Sequence, residues 1–188
     1  ATKKYNEQHR SGKVEKHREG GERQPIEVGI AINQGKVMLG AIGSESRMEF
    51  TVLGDAVNVA ARIEELTRTI GVQIICLKEV AEAHSEIASR SLGCIRIRGK
   101  EEQVRIYDVF QNDPEPLLQE KLSYLNEFES AMENLWSEKS ETAQSGTEQI
   151  EKLLKEHPDD NVLKSIVNFL KLRSGAGIND KSSVLRSL

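Results

Sequence analysis

The chain has 188 residues, of which 37% are hydrophobic and 30% are charged, a composition typical of one ordinary soluble domain or a small domain with an extension. The net charge of −4, from 26 Lys and Arg against 30 Asp and Glu, argues against non-specific nucleic-acid binding. No run reaches the roughly 20 apolar residues that a transmembrane helix needs, so no membrane segment is predicted in this chain. Cys76 and Cys94 lie in apolar, strand-like runs, which favours buried thiols and a reducing cytoplasm.

Changes in polarity divide the sequence. The first residues are almost all polar and cannot bury a surface of their own. A long stretch of alternating strand and helix patterns follows, then a proline-containing linker, then a purely helical pattern. The predicted segments are a helix end and linker at 1–25, a sheet domain at 26–111, a linker at 112–116, a helical tail at 117–173 and a flexible C-terminus at 174–188.

The sheet domain opens with two apolar runs. Alternating apolar residues over Ile26–Ile32 and a second run at Val37–Leu39 predict a β-hairpin that turns at Asn33-Gln34-Gly35. A flexible loop is expected at Gly40–Ser44, and a short strand at Met48–Leu53.

The strongest helical pattern covers Ala56–Ile70, where apolar residues recur at spacings of three and four. Asp55 is predicted as its N-cap, and Gly71 as a left-handed C-terminal cap. Strands alternating with helices indicate an α/β or α+β fold. The remaining predicted elements of this domain are a strand Val72–Leu77, a helix Lys78–Arg90, a strand Ile95–Arg98, a turn at Gly99-Lys100 and a strand Val104–Phe110.

The tail is predicted to form three helices, over Leu117–Glu138, Glu148–Glu156 and Asp159–Leu172. Their order and spacing resemble a fragment of a tetratricopeptide-like array. Such a unit cannot bury its apolar face alone. We therefore expect the tail to pack on the sheet domain or to bind a protein partner.

Polar residues cluster around the start of the strongest helix. Asn58 and Arg62 are four residues apart and so share one helical face, while a predicted strand brings Thr51 and Val52 to the start of the same helix. Taken by itself, a polar pair at this spacing is more often only a solvated helix surface. The spacing alone leaves both interpretations open.

The longer sequence string is more specific. Ile30 to Gly40 reads IAINQGKVMLG, Ile42-Gly43 follows, and Phe50 to Arg62 reads FTVLGDAVNVAAR. In order and spacing, this string resembles the class III adenylate/guanylate cyclase catalytic domain from about Ile26 to Phe110. The resemblance implies an α+β, ferredoxin-like cyclase domain, here the C-terminal half only, followed by a short α-helical appendage.

The resemblance also implies roles for individual residues. Thr51 favours ATP, although a hydroxyl both donates and accepts and therefore leaves GTP open. Without the resemblance, Thr51 would be an ordinary β-branched strand residue and Arg98 a solvated charge. The implied roles are ribose orientation for Asn58, charge stabilisation at the α-phosphate for Arg62, base reading for Thr51, base-pocket lining for Val52 and Val57, and triphosphate contact for Arg98, which begins an Arg-Gly-Lys turn.

Family members use two divalent metal ions, Mg²⁺ or Mn²⁺, held by two aspartates upstream of the matched region. The first aspartate here is Asp55, whose position fits helix capping. The metal ligands are therefore not expected in this chain, and alone it should be inactive. Either the sequence is part of a longer cyclase, which we favour, or it is a genuinely partial domain.

The function implied by the resemblance is conversion of ATP to cyclic AMP and pyrophosphate in intracellular signalling, by an enzyme of bacterial type. Because family active sites form between protomers, a homodimer is expected. The alternative is a catalytically inactive, cyclase-like module for dimerisation or regulation.

Overall fold

The computed structural model describes residues 26–44, 47–97 and 103–176. Residues 1–25, the predicted turn at Gly99-Lys100 and residues 177–188 lie outside this part of the chain. The strands are β1 (Ile30–Ile32), β2 (Met38–Ser44), β3 (Arg47–Leu53), β4 (Ile74–Leu77), β5 (Ser89–Arg96) and β6 (Gln103–Val109). The helices are α1 (Asp55–Ile70), α2 (Lys78–Ala83), α3 (Glu115–Ser123), α4 (Leu125–Leu135), α5 (Ser140–Glu156) and α6 (Asn161–Ala176).

Four strands form one sheet in the order β1-β4-β6-β5, and β2 and β3 form a separate antiparallel ribbon. Strand β1 runs parallel to β4, with Ile30 opposite Ile74, while β6 is antiparallel to both β4 and β5. The connection from β1 to β4 contains the ribbon and then α1. This crossover carries every predicted site residue except Arg98.

The predicted hairpin between Ile26–Ile32 and Val37–Leu39 is wrong. Strand β1 pairs with β4, and β2 pairs instead with β3, from Met38 opposite Leu53 to Ser44 opposite Arg47. The stretch expected to be a loop, Gly40–Ser44, is therefore strand. The buried strand β4 offers β1 a partner that is distant in sequence, and local turn chemistry does not reveal such a partner.

Helix α1 confirms the predicted periodicity, since Val59, Ile63, Thr67 and Ile70 are buried along one stripe. Gly71 adopts the left-handed conformation predicted for it, with φ 79°, and donates its N–H to the Thr67 carbonyl at 2.9 Å. The prediction of Asp55 as N-cap is wrong. Asp55 is the first helical residue, Gly54 precedes it, and no side chain caps the helix.

The predicted helix Lys78–Arg90 is too long. Helix α2 ends at Ala83 and buries none of its residues. Strand β5 begins already at Ser89, where its pairing with β6 takes the chain into the sheet.

The tail differs from its prediction in two places. The single helix predicted over Leu117–Glu138 is broken at Tyr124 into α3 and α4. Helix α5 begins at Ser140 rather than Glu148. Within it, Gly146 packs against the backbone at the end of α4, where a Cβ would lie 2.2 Å from the Leu135 nitrogen. These helices do not confirm a tetratricopeptide-like repeat.

Sheet and tail share one hydrophobic core. It joins residues of α1, β4, β5 and β6 to residues of α4, α5 and α6. The chain is thus a mixed α/β fold in which the tail packs on the sheet. The fully buried members that span this core include Ile63, Ile75, Ile106, Phe128, Ile150 and Leu163.

A buried ionic cluster lies beside this core. The Arg90 guanidinium, with no exposed surface, donates from Nε to Asp108 Oδ2 at 3.0 Å, and its two terminal nitrogens donate to the Asp160 carboxylate. Tyr124 donates its hydroxyl to the same Asp160 carboxylate. The guanidinium carbon also lies 4.6 Å from the Phe128 ring centroid. A planar, permanently charged guanidinium suits this arrangement of carboxylates and ring face.

The Asp160 carboxylate also accepts hydrogen bonds from the backbone N–H groups of Val162 and Leu163, at 2.8 and 3.4 Å. Asp160 therefore caps α6 while it binds Arg90. Burial works to raise the pKa of Asp160, but the hydrogen bonds and charge of Arg90 outweigh burial and hold that pKa below its usual value. For Asp108, burial raises the pKa above its usual value despite the opposing charge of Arg90.

Neither cysteine forms a disulfide. Cys76 is buried, and burial raises the pKa of its thiol to about 11, which keeps it protonated and unreactive. Cys94 is only partly buried. Within residues 26–44, 47–97 and 103–176, no helix combines the length and apolar character needed to cross a bilayer.

The first prediction concerns Gly93, which has φ +96° at an irregularity in β5. A Cβ there would lie 2.3 Å from Trp136 Nε1. We expect Gly93→Ala to lower the free energy of unfolding by about 2–4 kcal/mol, because it combines overpacking with an unfavourable backbone conformation. Urea unfolding measures this. Gly40→Ala is the control, because a Cβ at Gly40 meets nothing within 4 Å; equal losses in the two variants would contradict the prediction.

The second prediction concerns Asp160. We expect Asp160→Asn to lower the free energy of unfolding at pH 7 by about 3 kcal/mol, because Arg90 loses a buried partner. The folded-state pKa of Asp160 is lowered, so its contribution is present at neutral pH and is lost as the pH falls through that pKa. The gap between wild type and variant should therefore narrow below about pH 4.

Urea unfolding between pH 7 and pH 3 measures that gap. If the free energies of unfolding of wild type and Asp160→Asn differed by the same amount at every pH from 7 to 3, the charge on Asp160 would not be what stabilises the cluster.

Candidate active site

The start of α1 is fixed by the segment between β1 and β2. Asn33 donates from Nδ2 to the Ala56 carbonyl at 3.0 Å, and its Oδ1 accepts the Gln34 backbone N–H at 2.8 Å. Gly35 passes so close that a Cβ would lie 2.7 Å from the Ala56 side chain, and a Cβ on Gly54 would meet the Lys36 carbonyl at 2.8 Å. This close packing sets where the helix begins.

Asn58 and Arg62 lie on the exposed side of α1, one turn apart, and the neighbouring stripe of Val59 and Ile63 is buried. The backbone N–H of Asn58 donates to the Gly54 carbonyl at 3.3 Å. The structure therefore brings both predicted catalytic side chains to one solvent-facing surface. Their position depends on the packing of the helix beneath them.

Thr51 and Val52 lie near the end of β3, opposite Gly40 and Leu39 of β2. Thr51 is half-buried and Val52 is 43% exposed. Successive strand residues point to opposite faces, so these two side chains flank the ribbon rather than line one wall. Space is open on the Thr51 side, because a Cβ at Gly40 would meet nothing within 4 Å.

Val57 lies in the first turn of α1 and is 36% exposed, one residue before Asn58. Arg98 lies outside the described residues, so its predicted contact with a triphosphate stays a prediction. Strand β5 ends at Arg96, and Ile97 is buried in the core.

The ribbon and β1 expose an unusual amount of apolar surface. The most exposed apolar side chains are Phe50 at 81%, Leu39 at 75% and Met38 at 71%. Within the described residues, β1 pairs only with β4. Leu39 and Phe50 lie on one face of the ribbon and Met38 lies on the other, and exposed apolar surface of this kind is typical of a region that another polypeptide covers.

The described residues do not fit a metal site. No group of three His, Cys, Asp or Glu side chains in them is placed to hold a metal ion, and Asp55 is the acidic residue nearest to Asn58 along the chain.

The chain is similar in sequence to proteins of a known family. Residues 3–110 match the family model of the adenylate and guanylate cyclase catalytic domain. The chain belongs to this family. The match begins well before Ile26, so it includes most of the polar segment predicted to be a linker.

Curated adenylate cyclases are also similar to part of this chain. An adenylate cyclase of Anabaena cylindrica is 44% identical over 88 residues, 45% of this chain and 18% of that protein. The terminal-differentiation specific adenylate cyclase of Dictyostelium discoideum is 35% identical over 112 residues, 57% of this chain and 5% of that protein. The chain thus spans only a small part of these relatives.

Solved structures of adenylyl cyclases also match in part. A bacterial light-regulated adenylyl cyclase is 29% identical, with 47% of this chain and 44% of that chain covered and a TM-score of 0.34. The adenylyl cyclase CyaB from P. aeruginosa is 28% identical, with 39% and 37% covered and a TM-score of 0.34. Both TM-scores are below 0.5, so these superpositions add nothing to the family match.

Sequence reasoning missed the role of Asn33. Asn33-Gln34-Gly35 has the composition of a hairpin turn and was predicted as one. In the fold, the Asn33 side chain instead contacts the start of α1. Only the pairing of β1 with β4 places Asn33 there, and no local signal in the sequence reports that pairing.

The third prediction tests this contact. We expect Asn33→Ala to lower the free energy of unfolding by about 1 kcal/mol, because it removes the side-chain hydrogen bond to the Ala56 carbonyl. Amide exchange measured by NMR should become faster at Val57 and Asn58, whose N–H groups bond to the Gly54 carbonyl. Gln34→Ala, at the exposed neighbouring position, is the control, and identical exchange in the two variants would contradict the assignment.

Proposed function

We propose that the chain supplies the transition-state and base-reading part of an adenylate cyclase, which forms cyclic AMP and pyrophosphate from ATP in cytoplasmic signalling. In this proposal it is the C-terminal part of a ferredoxin-like catalytic domain. The observation that carries the proposal is the pair Asn58 and Arg62, exposed together on a helix that is buried beneath them. The family match supports it.

The reaction explains the choice of side chains. The ribose 3′-oxygen bonds to the α-phosphorus and loses its proton, while the bond from that phosphorus to the bridging oxygen breaks and pyrophosphate leaves. Negative charge grows on the α-phosphate oxygens during this step. The Arg62 guanidinium presents a fork of donors to those oxygens, and the Asn58 amide both donates to and accepts from the ribose and its neighbouring oxygens.

Base selection is assigned to the ribbon. Thr51 would read the base edge from the open side next to Gly40, and Val57 would pack against the base. Because Val52 faces the other side of the strand, its share in the base pocket would come from its backbone. Arg98 would contact the triphosphate. A hydroxyl at Thr51 favours ATP without excluding GTP.

Metal binding is assigned to a second protomer. Two divalent ions, Mg²⁺ or Mn²⁺, supply charge neutralisation in this family's reaction when bound, and the described residues offer no ligand set for them. A homodimer of the intact enzyme, whose metal-binding aspartates are not expected in this chain, would place the carboxylates of one protomer opposite Asn58 and Arg62 of its partner. The exposed apolar side chains of Phe50, Leu39 and Met38 support such an interface.

A second candidate is a cyclase-like module without activity. It is favoured by the lack of a metal-ligand group in the described residues together with the large apolar surface. Partner binding through a tetratricopeptide-like tail is a further part of this alternative. The tail buries apolar side chains of α4, α5 and α6 in the core and exposes Leu122 and Leu172, so a partner would contact its outer face.

The fourth prediction is a complementation assay. The chain is mixed with a cyclase protomer that keeps its metal-binding carboxylates but has lost its own asparagine and arginine. With Mn²⁺, we expect cyclic AMP from ATP and less product from GTP. Arg62→Ala or Asn58→Ala should lower kcat by about 10²–10³-fold, because each removes a contact made in the transition state.

Arg68→Ala is the matched control, since Arg68 is an exposed arginine in the last turn of the same helix. It should leave kcat within about twofold, as expected of a surface change away from the reacting atoms. No product from either nucleotide with the wild-type chain would contradict the cyclase proposal and favour the inactive module.

A further inference from the structure

Helix α6 contacts the end of the helix that carries the candidate catalytic residues. The Ser165 hydroxyl lies 3.0 Å from the Ile70 carbonyl and 3.3 Å from the Thr69 carbonyl, and it donates to this pair. The last carbonyls of a helix have no partner within it. Gly71 and Val72 donate to the Thr67 carbonyl, so Ser165 donates to carbonyls other than the one that the C-terminal cap uses.

The start of α6 presses on the same end of α1. A Cβ at Gly71 would lie 2.8 Å from Asn161 Cβ, so the glycine allows both the left-handed turn and the approach of α6. Val162, Leu163 and Val167 of α6 belong to the core that contains Ile63 and Ile70 of α1. The two helices therefore share hydrogen bonds, backbone packing and apolar burial.

Helix α6 is itself fixed to the sheet. Asp160 caps its first turn and binds Arg90 of β5. On another side of α1, a Cβ at Gly29 would lie 2.1 Å from Thr67 Oγ1, so the chain before β1 also packs tightly on the second half of α1. Helix α1 thus packs at its C-terminal end against α6 and against the segment before β1.

We propose that α6 positions the catalytic helix, with Ser165 as the positioning residue. The proposal rests on the proposed function, because it assigns Ser165 an effect on the reaction through Asn58 and Arg62. Arg62 lies about 12 Å along the helix axis from Ile70, at about 1.5 Å per residue. A helix is rigid over that length, so a shift at its end displaces the guanidinium, and misplacement of about 1 Å is costly in catalysis.

The first experiment measures the helix directly, in the chain as it is. Amide hydrogen exchange is followed over Asp55–Ile70 in wild type, Ser165→Ala, Ser165→Thr and Asn168→Ala. We expect Ser165→Ala to speed exchange in the second half of α1 about threefold to tenfold, the effect of one lost hydrogen bond. Ser165→Thr keeps the hydroxyl, and Asn168 is exposed on the same helix, so both should match wild type.

The second experiment measures kcat and KM in the complementation assay, well below the unfolding temperature. Ser165→Ala should lower kcat about threefold to tenfold with KM for ATP unchanged, because Asn58 and Arg62 act in the transition state. In an Arg62→Ala background, Ser165→Ala should lower kcat little further, because Ser165 is proposed to act on the reaction through the position of the Arg62 side chain. If Ser165→Ala only made the protein less stable, it would instead lower kcat by the same factor in the wild-type and Arg62→Ala backgrounds.

The outcomes separate the two proposals. Product from the wild-type chain, with kcat unchanged in Ser165→Ala, would overturn the positioning role and leave the cyclase proposal standing. Unchanged exchange over α1 in Ser165→Ala would overturn it as well. No product from the wild-type chain would overturn the cyclase proposal, and with it any role of Ser165 in catalysis.

Discussion

The charge of Arg90 is the constraint on which the arrangement of sheet and tail depends. A guanidinium without solvent contact requires carboxylate partners, and it obtains Asp108 from the neighbouring strand and Asp160 from the tail. These partners lie far apart in sequence. Their meeting fixes the start of α6 against β5 and explains why the chain turns at Tyr124, whose hydroxyl also bonds to Asp160.

The candidate site depends on this arrangement at a distance. At the start of α1, the position of the helix is fixed by close packing with Asn33, Gly35 and Gly54. Its far end is enclosed by α6, which Asp160 fixes to the sheet. The exposed pair Asn58 and Arg62 therefore lies on a helix held at both ends. The packing of α1 at both ends therefore gives this solvent-facing surface a defined geometry.

Sequence patterns predicted the parts of the fold that local physics decides. The period of α1, the left-handed Gly71 and the placement of Asn58 beside Arg62 all follow from spacing within a few residues. The predictions were wrong where the structure of a segment depends on a partner that is distant in sequence. Strand β1 pairs with β4, β5 begins at Ser89 because β6 lies beside it, and Tyr124 breaks a helix to reach Asp160. The local pattern of apolar residues does not reveal these long-range contacts. It does not reveal the contact of Asn33 with the start of α1 either.

Trp136 gives the junction between sheet and tail an optical property. It is the only tryptophan in the chain, and its indole lies against Gly93 of β5 while it follows directly on α4. The ring is partly buried against the hydrophobic core, and its Nε1 has no hydrogen-bond acceptor among the described residues. Its emission therefore reports docking of the tail onto the sheet, in the unlabelled chain and without a contribution from any second indole.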